Sequence, residues 1–257
     1  VKKSYIDFDD AETRLSSSAG SYNNAYSAIA YQYYDSTDSN SLSYIPAATE
    51  SLLTGAMMTI ETEVVFPKRS IVGDNNYKLF PSLSSSIFGL HAVAASNTDL
   101  SFDSSDTINF NVHASKPDDD PRNVKFVLSG SSVFSPIESS NTYAGTYDNE
   151  KWKLAFRLRP TKASTDTSPT LNSSVGFLLP TASAYTYELY GVNYVSNILQ
   201  NEFTVSGTMS LANATTFFTQ PKRIFLGSDR TNFTGSVVSY SDVKVSSTRV
   251  WLDYLSN

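Results

Sequence analysis

The chain has 257 residues, 40% of them hydrophobic, with no cysteine and a formal net charge of −6 at pH 7. The absence of cysteine excludes disulfides, thiolate metal sites and cysteine nucleophiles, and the acidic balance argues against a nucleic-acid-binding protein, which needs a basic surface. No apolar run approaches the roughly 20 residues of a membrane-spanning helix, so we expect neither a nucleic-acid nor a membrane partner.

The first fifty residues, 1–50, differ in composition from the rest of the chain. They are rich in serine, tyrosine and asparagine and show little alternation, apart from residues 4–10, which could form an edge strand. Such a segment could be a flexible arm, but its aromatic side chains favour an irregular segment packed along a folded domain. We find no internal repeat and no linker, so the sequence predicts a single domain over 1–257.

Alternation of apolar and polar residues recurs in the rest of the chain and predicts β-strands with one buried and one solvated face. Residues 59–66 place Glu61 and Glu63 on the polar face. Residues 151–159 alternate most regularly, and Trp152 is in phase with their apolar face, so we expect its ring in the core. Similar stretches occur at 108–113, 184–192, 202–211, 223–227, 235–245 and 248–255.

Turn-rich stretches separate these predicted strands, helical periodicity is nearly absent, and no strand–helix–strand crossover is recognisable. The 16 tyrosines and 15 phenylalanines fit a sheet protein, because both residue types favour pleated, half-buried surfaces. The sequence therefore predicts an all-β fold, an antiparallel β-sandwich or jelly roll.

Glu61 and Glu63 are the sharpest catalytic candidates. Two positions apart on a strand, their side chains share a face about 7 Å from each other, and glycosidases use paired carboxylates at comparable separations. A glucanase-like strand would carry a third acid, where this sequence has Val65 and Phe66. The alternative is the solvated face of an amphipathic strand, and we favour it.

The two histidines, His91 and His113, lie in separate predicted strands. Neither has an acid at a spacing typical of a metal-ligand motif, and no nucleophile-elbow sequence is present. We therefore interpret each histidine as a polar strand residue rather than a general base.

A cluster of three carboxylates, Asp118, Asp119 and Asp120, lies between two prolines. Carboxylates in a stiff turn could bind Ca²⁺, which takes six to eight oxygen ligands. The alternative is a solvated turn with Arg122 as a local counter-charge. The aspartate cluster is the metal-site candidate of the sequence.

Aromatic side chains outside the regular strands are candidates for sugar binding, because a flat ring stacks on a pyranose while its polar edge stays in water. Tyr143 and Tyr147 lie in a turn-rich stretch, and Trp251 is out of phase with its apolar neighbours. These three residues are the carbohydrate-binding candidates, and packing in the interior is the alternative for each.

The end of the chain carries three short elements in a fixed order, Leu226–Gly227, Phe233–Gly235 and Asp242–Lys244. This order resembles the C-terminal part of laminin-G-like, concanavalin-A-like sandwich domains, with lysine where the family often has arginine. The strand with Trp152 is similar to the family's D-x-x-W strand, and Gly191 is similar to the glycine of its Tyr-containing hairpin. The resemblance implies a concanavalin-A-like sandwich.

The longer ending R-T-N-F-T-G-S-V…D-V-K…R-V-W-x-D-Y-L is similar to such domains in large structural proteins of tailed bacteriophages. This resemblance implies a non-enzymatic virion component (tail, fibre or capsid-decorating). We expect no cofactor, unless the aspartate cluster binds Ca²⁺. Its expected partners are other virion subunits, repeated copies or a homo-oligomer, and a surface glycan, after assembly in the host cytoplasm. The alternatives are an extracellular carbohydrate-binding module and a glycoside hydrolase that uses Glu61 and Glu63.

Overall fold

The computed structural model describes most of the chain after residue 55 and a few short stretches before it. The described residues are 56–68, 83–93, 108–116, 120, 122–161, 184–220, 222–231 and 236–256, together with the backbone of four short strands at 6–7, 29–30, 44–45 and 102–103. No helix within these ranges is long and apolar enough to cross a bilayer.

Two large antiparallel sheets are formed by the described residues. The first has the order β1 (Ile6–Asp7), β16 (Lys244–Trp251), β4 (Met58–Phe66), β10 (Glu150–Pro160), β11 (Ala184–Val195) and β12 (Ile198–Ser210). The second has the order β2 (Ile29–Ala30), β13 (Lys222–Gly227), β5 (Ser84–Val93), β7 (Phe110–Ser115), β8 (Lys125–Gly130) and β9 (Ile137–Glu138). Strand β3 (Tyr44–Ile45) pairs with β13, and β6 (Phe102–Asp103) pairs with β5.

A two-stranded hairpin of β14 (Asp229–Arg230) and β15 (Val237–Ser239) lies beside β5, and one short helix, α1 (Leu211–Thr219), follows β12. The prediction of an all-β antiparallel sandwich is thus confirmed, and its arrangement is consistent with a jelly roll. The single-domain prediction stays a prediction, because most of segment 1–50 lies outside the described residues.

The core lies between the two sheets and is built by alternation along the strands. The even-numbered residues of β10 from Trp152 to Leu158 are buried, and Trp152 is completely inaccessible to solvent, as predicted. Its ring lies 4.7 Å from that of Phe126 on the opposite sheet. Gly191 is required beside this aromatic layer, because a Cβ there would come within 2.2 Å of the Phe203 ring.

Helix α1 was not predicted, because residues 202–211 were expected to continue as a strand. Ser210 ends the strand and caps the helix, accepting a hydrogen bond from the Asn213 backbone N–H at 3.2 Å. Ala214, Phe217 and Phe218 then bury one helical face. A serine cap followed by apolar residues at this spacing is a helix signal, but it is short beside the strong strand pattern before it.

A buried polar cluster joins the second sheet to the segment that leads into β16. Lys116 Nζ lies 2.5 Å from Asp242 Oδ2, and both side chains are fully buried. The Tyr147 phenol donates to Asp242 Oδ1 at 2.6 Å, and the Asp242 backbone N–H donates to Ser85 Oγ at 3.0 Å. We call these residues the Asp242 cluster. The additional hydrogen bonds compensate the buried carboxylate of the ion pair for its loss of water.

Candidate functional site

The outer face of the six-stranded sheet concentrates charged and aromatic side chains. On β10 the inward residues are apolar, so alternation turns Lys153, Ala155 and Arg157 outward. The register places Ala155 opposite Glu61 on β4 and opposite Tyr190 on β11. Side chains from three neighbouring strands therefore meet around a single alanine.

A cleft of about 390 Å³ opens at this position, and we call it the Ala155 cleft. The alanine side chain ends at Cβ, while its two cross-strand neighbours are long, which leaves space above the alanine. The principal lining side chains are Glu61, Glu63, Lys153, Arg157, Tyr190, Tyr194 and Arg249. The cleft is large enough for part of a small ligand or a segment of a chain molecule.

Both glutamates of the Ala155 cleft interact with neighbouring side chains. Glu61 Oε1 accepts hydrogen bonds from Arg249 Nη1 at 3.3 Å and from Trp251 Nε1 at 3.2 Å. Glu63 Oε2 lies 2.9 Å from Lys151 Nζ. Lys153, in contrast, is exposed and forms no ion pair with any described residue. Its ammonium is thus available to an anionic ligand.

Arg157 and Tyr190 form the opposite wall of the cleft. The guanidinium carbon of Arg157 lies 4.2 Å from the centroid of the Tyr190 ring, a cation–π contact. The Tyr190 hydroxyl donates to Glu202 Oε1 at 2.9 Å. Burial, together with this hydrogen bond, raises the pKa of Tyr190 to about 12, so its phenol stays protonated across the physiological range.

Residues 253–256 close one end of the cleft. Thr59 Oγ1 donates to the Asp253 carbonyl oxygen at 2.8 Å and accepts from the Leu255 N–H at 3.1 Å. The Tyr254 hydroxyl donates to Glu188 Oε2 at 2.8 Å. The chain after β16 is therefore fixed against the sheet rather than leaving it at Trp251.

The predicted sugar-binding aromatics are separated by the structure. Trp251 is 41% exposed and lies beside the Ala155 cleft, hydrogen-bonded to Glu61. The roles predicted for Tyr143 and Tyr147 are wrong, because both side chains are buried. Tyr143 packs 4.8 Å from the Trp152 ring, and Tyr147 belongs to the Asp242 cluster. Their turn-rich segment folds into the core instead of presenting its rings to solvent.

Glu61 and Glu63 do share one face, as predicted, and both line the same cleft. Val65, at the position of a third acid, is also on that strand. Each carboxylate already accepts from or pairs with a cationic side chain. The arrangement therefore resembles a charge-balanced binding wall more than a proton-donating pair aimed at a glycosidic bond.

The predicted calcium site is only partly described. Asp118 and Asp119 lie outside the described residues, and Asp120 binds Arg122 through both carboxylate oxygens, at 3.0 Å to Nη2 and 3.1 Å to Nε. These hydrogen bonds lower the pKa of Asp120. Within the described ranges, no group of three or more acidic or histidine residues could hold a metal ion. The calcium site stays a prediction.

A second cleft, of about 300 Å³, lies between the outer face of the eight-stranded sheet and the β14–β15 hairpin. His91 Nε2 lies 2.9 Å from Asp229 Oδ1, and its ring stacks on Phe225. His113 also lines this cleft, and burial lowers its pKa. The His91–Asp229 pair was not predicted, because 138 residues separate the partners and no local spacing indicates it.

Comparisons with known proteins show no family for this chain. No family model matches the chain, and no curated protein matches it. Among solved structures, a marine PL-14 alginate lyase from Aplysia kurodai matches 98% of this chain and 99% of its own length. The identity is 7% and the TM-score is 0.33.

These findings bear on two predictions. The resemblance to phage domains has no support from any family, whereas the β-sandwich itself stands on the observed sheets. The prediction of a non-enzymatic protein is contradicted by one finding, that a solved structure aligned with nearly the entire chain is an enzyme, and we do not maintain it. At this identity and TM-score the match assigns no activity, substrate or residue role to the present chain.

Proposed function

We propose that the protein binds an acidic polysaccharide along the outer face of the six-stranded sheet, with the Ala155 cleft as the central subsite. The observation that carries this proposal is the exposed ammonium of Lys153, which lines the cleft without an ion-pair partner among the described residues. A sugar carboxylate would supply the missing counter-charge through a charge-assisted hydrogen bond.

The charge distribution around Lys153 supports an anionic rather than a neutral ligand. Arg249 and Lys151 already balance Glu61 and Glu63, so these glutamates repel an incoming anion less than unpaired carboxylates would. Arg157 adds a second cation on the opposite wall of the cleft. A carboxylated sugar would therefore contact two cations of the same strand, Lys153 and Arg157, which lie two positions before and two positions after Ala155.

Exposed aromatics lie at two opposite corners of the same face. Trp251 is 41% exposed on β16, and Tyr194 is 49% exposed on β11. From the strand spacing and the rise per residue, these corners lie about 25 Å apart. Rings at both ends and cations between them favour an extended chain of sugars over a single one.

The resemblance to phage structural proteins adds a proposal about location. In a virus particle the domain would be present in repeated copies, and a weak glycan site would gain avidity from multivalency. An extracellular carbohydrate-binding module is the alternative, and it would use the same face. Mass spectrometry of purified virus particles distinguishes the two locations, since only a virion component would be present in the particles.

Calorimetric titration with alginate, polygalacturonate and neutral dextran tests the binding proposal. We expect binding of the two uronate polymers, no binding of dextran, and an affinity that falls with added salt. Lys153→Ala should weaken binding about tenfold, the effect of one lost charge-assisted hydrogen bond. Lys125→Ala, on the other sheet, is the matched control. Equal binding by both variants would refute the role of the Ala155 cleft.

The size distribution of the polysaccharide is measured after each titration. Shortening of the chains by the wild type, and not by Lys153→Ala, would show that the cleft also cleaves its ligand. Unchanged chains would identify the protein as a binding module for the polymers tested.

A further inference from the structure

The tip of the β11–β12 hairpin extends beyond its neighbouring strand. Pairing between β10 and β11 begins at Trp152 and Asn193, so residues 194–199 have no partner on β10. Ser196 and Asn197 both have positive φ, 51° and 64°, as in the tight two-residue turns of β-hairpins. The tip therefore extends about 10 Å beyond the last pair between β10 and β11, and about 5 Å beyond Glu150, the first residue of β10.

This tip is apolar although it is exposed. Tyr194, Val195, Ile198 and Leu199 have exposed fractions between 47% and 64%. No charged residue occurs between Glu188 and Glu202. A contiguous group of exposed apolar side chains on a tight turn is typical of an interaction site, since hairpin turns in water are ordinarily polar. We call residues 194–199 the hairpin tip.

The hairpin tip is continuous with the Ala155 cleft. Tyr194 belongs to the tip and also lines the cleft, and Val192, two residues earlier on the same face, lines it as well. Moving from the end of the tip toward the cleft, the surface changes from aliphatic side chains to a tyrosine and then to Lys153. A ligand that fills the cleft beside Tyr194 must pass close to the apolar tip.

We infer that the natural ligand is an acidic saccharide attached to a lipid, and that the hairpin tip enters the lipid surface while the cleft holds the saccharide. This inference rests on the proposed function. The order of groups on the protein matches the order of layers at such a surface. Aliphatic side chains would reach the acyl boundary, the Tyr194 ring would lie at the interface, and Lys153 would meet the acidic sugars above it.

The shape of the tip favours a lipid surface over a protein partner. Two strands joined by a two-residue turn form a narrow projection, and its length is similar to the 5–10 Å over which interfacial segments penetrate a bilayer surface. The tip needs no complementary pocket to bury Val195, Ile198 and Leu199 in lipid. The expectation of no membrane partner rested on the absence of an apolar run long enough to span a bilayer. A hairpin that enters only the lipid surface does not need such a run.

Flotation of the full chain with two kinds of vesicle tests this inference. One kind is pure dioleoylphosphatidylcholine, and the other also contains a sialylated ganglioside, whose sugar carries a carboxylate. We expect the wild type to float with ganglioside vesicles at least tenfold more than with the pure lipid. The double variant Ile198→Asp/Leu199→Asp should lose this binding. Val238→Asp, which adds a charge at a 62%-exposed valine on the β15 strand, should keep it.

The outcomes separate this inference from the proposed function. If the double variant still binds free polygalacturonate but no vesicles, the inference is supported. If the double variant floats like the wild type, or if the wild type binds free polymer but no ganglioside vesicle, the lipid attachment is refuted and the polysaccharide site stands. Failure of the wild type to bind either free polymer or ganglioside vesicles would overturn both.

Discussion

The Ala155 cleft and the Asp242 cluster are assembled from the same residue types. Each contains a lysine, a tyrosine and a carboxylate, yet Lys153 is exposed without an ion pair among the described residues, whereas Lys116 is fully buried against Asp242. The Tyr190 side chain lines the cleft and is partly exposed, whereas the Tyr147 side chain is fully buried. Water access, rather than residue type, separates the binding surface from the structural link.

This difference has an energetic consequence. A buried ion pair that is fully hydrogen-bonded holds two segments in one geometry, and removing one partner leaves a charge in a low-dielectric environment. A surface ion pair has water as an alternative partner, so its loss costs little. Substitutions in the Asp242 cluster should therefore change folding, and substitutions in the Ala155 cleft should change binding.

The largest effect is expected at the buried cluster. Asp242→Ala should lower the free energy of unfolding by about 3–5 kcal/mol, because the Lys116 ammonium loses its counter-charge. Urea denaturation measures this loss. Asp120→Ala, which removes the exposed partner of Arg122, is the control and should cost less than about 1 kcal/mol. Similar losses for the two variants would contradict the structural role of Asp242.

A second buried lysine makes stability depend on pH. Burial lowers the pKa of Lys222 to about 7, and its ammonium lies 4.8 Å from the Phe217 ring. Above this pKa the unfolded chain binds more protons than the folded one, so stability rises with pH. We expect a gain approaching about 1.4 kcal/mol per pH unit from about pH 7 to about pH 9, below the range of tyrosine ionisation.

Chemical denaturation across this pH range measures the slope. Lys222→Met should abolish this part of the pH dependence, while Lys125→Met, at a partly exposed lysine, should leave it unchanged. A slope that persists in Lys222→Met would assign the effect to other groups.

Filling the Ala155 cleft should affect binding without affecting folding. Ala155→Leu adds three carbons to the residue at the bottom of the cleft, in the space between Glu61 and Tyr190. We expect at least a tenfold loss of affinity for polygalacturonate, about 1.4 kcal/mol, with an unfolding free energy close to that of the wild type. Normal binding by Ala155→Leu would show that the ligand does not reach the bottom of the Ala155 cleft.

The smallest effect is expected for the surface ion pair. Glu61→Gln removes a negative charge but keeps an acceptor for Trp251 and Arg249. The unfolding free energy should change by less than about 1 kcal/mol, and affinity for the acidic polymer should rise about two- to threefold, because one repulsive charge is gone. Weaker binding would instead indicate that Glu61 contacts the ligand directly.

The fold was largely predictable from alternation, because the order of apolar and polar residues within a single strand indicates which of its faces is buried. Trp152 shows this, since its phase along β10 was sufficient to predict its burial. Helix α1 was missed because its short signal follows the long alternating pattern of β12. A long strand can therefore be predicted from its own alternation, whereas a short helix that directly follows such a strand cannot.

The candidate site was less predictable, because it depends on which strands become neighbours. The polar face with Glu61 followed from alternation, but the gap over Ala155 arises only when β4, β10 and β11 are paired in register. Tyr143 was misassigned because turn residues indicate where the chain bends, not which way its rings point. Only tertiary packing decides that direction.

The attachment of residues 253–256 to Thr59 has a practical consequence for how the protein is handled. Any segment that follows Ser256, whether a further domain or a purification tag, must start at the mouth of the cleft, since Leu255 and Ser256 line it. A bulky or anionic extension there would shield the Ala155 cleft from its ligand. Immobilisation from that end would report weaker affinities than measurements in free solution.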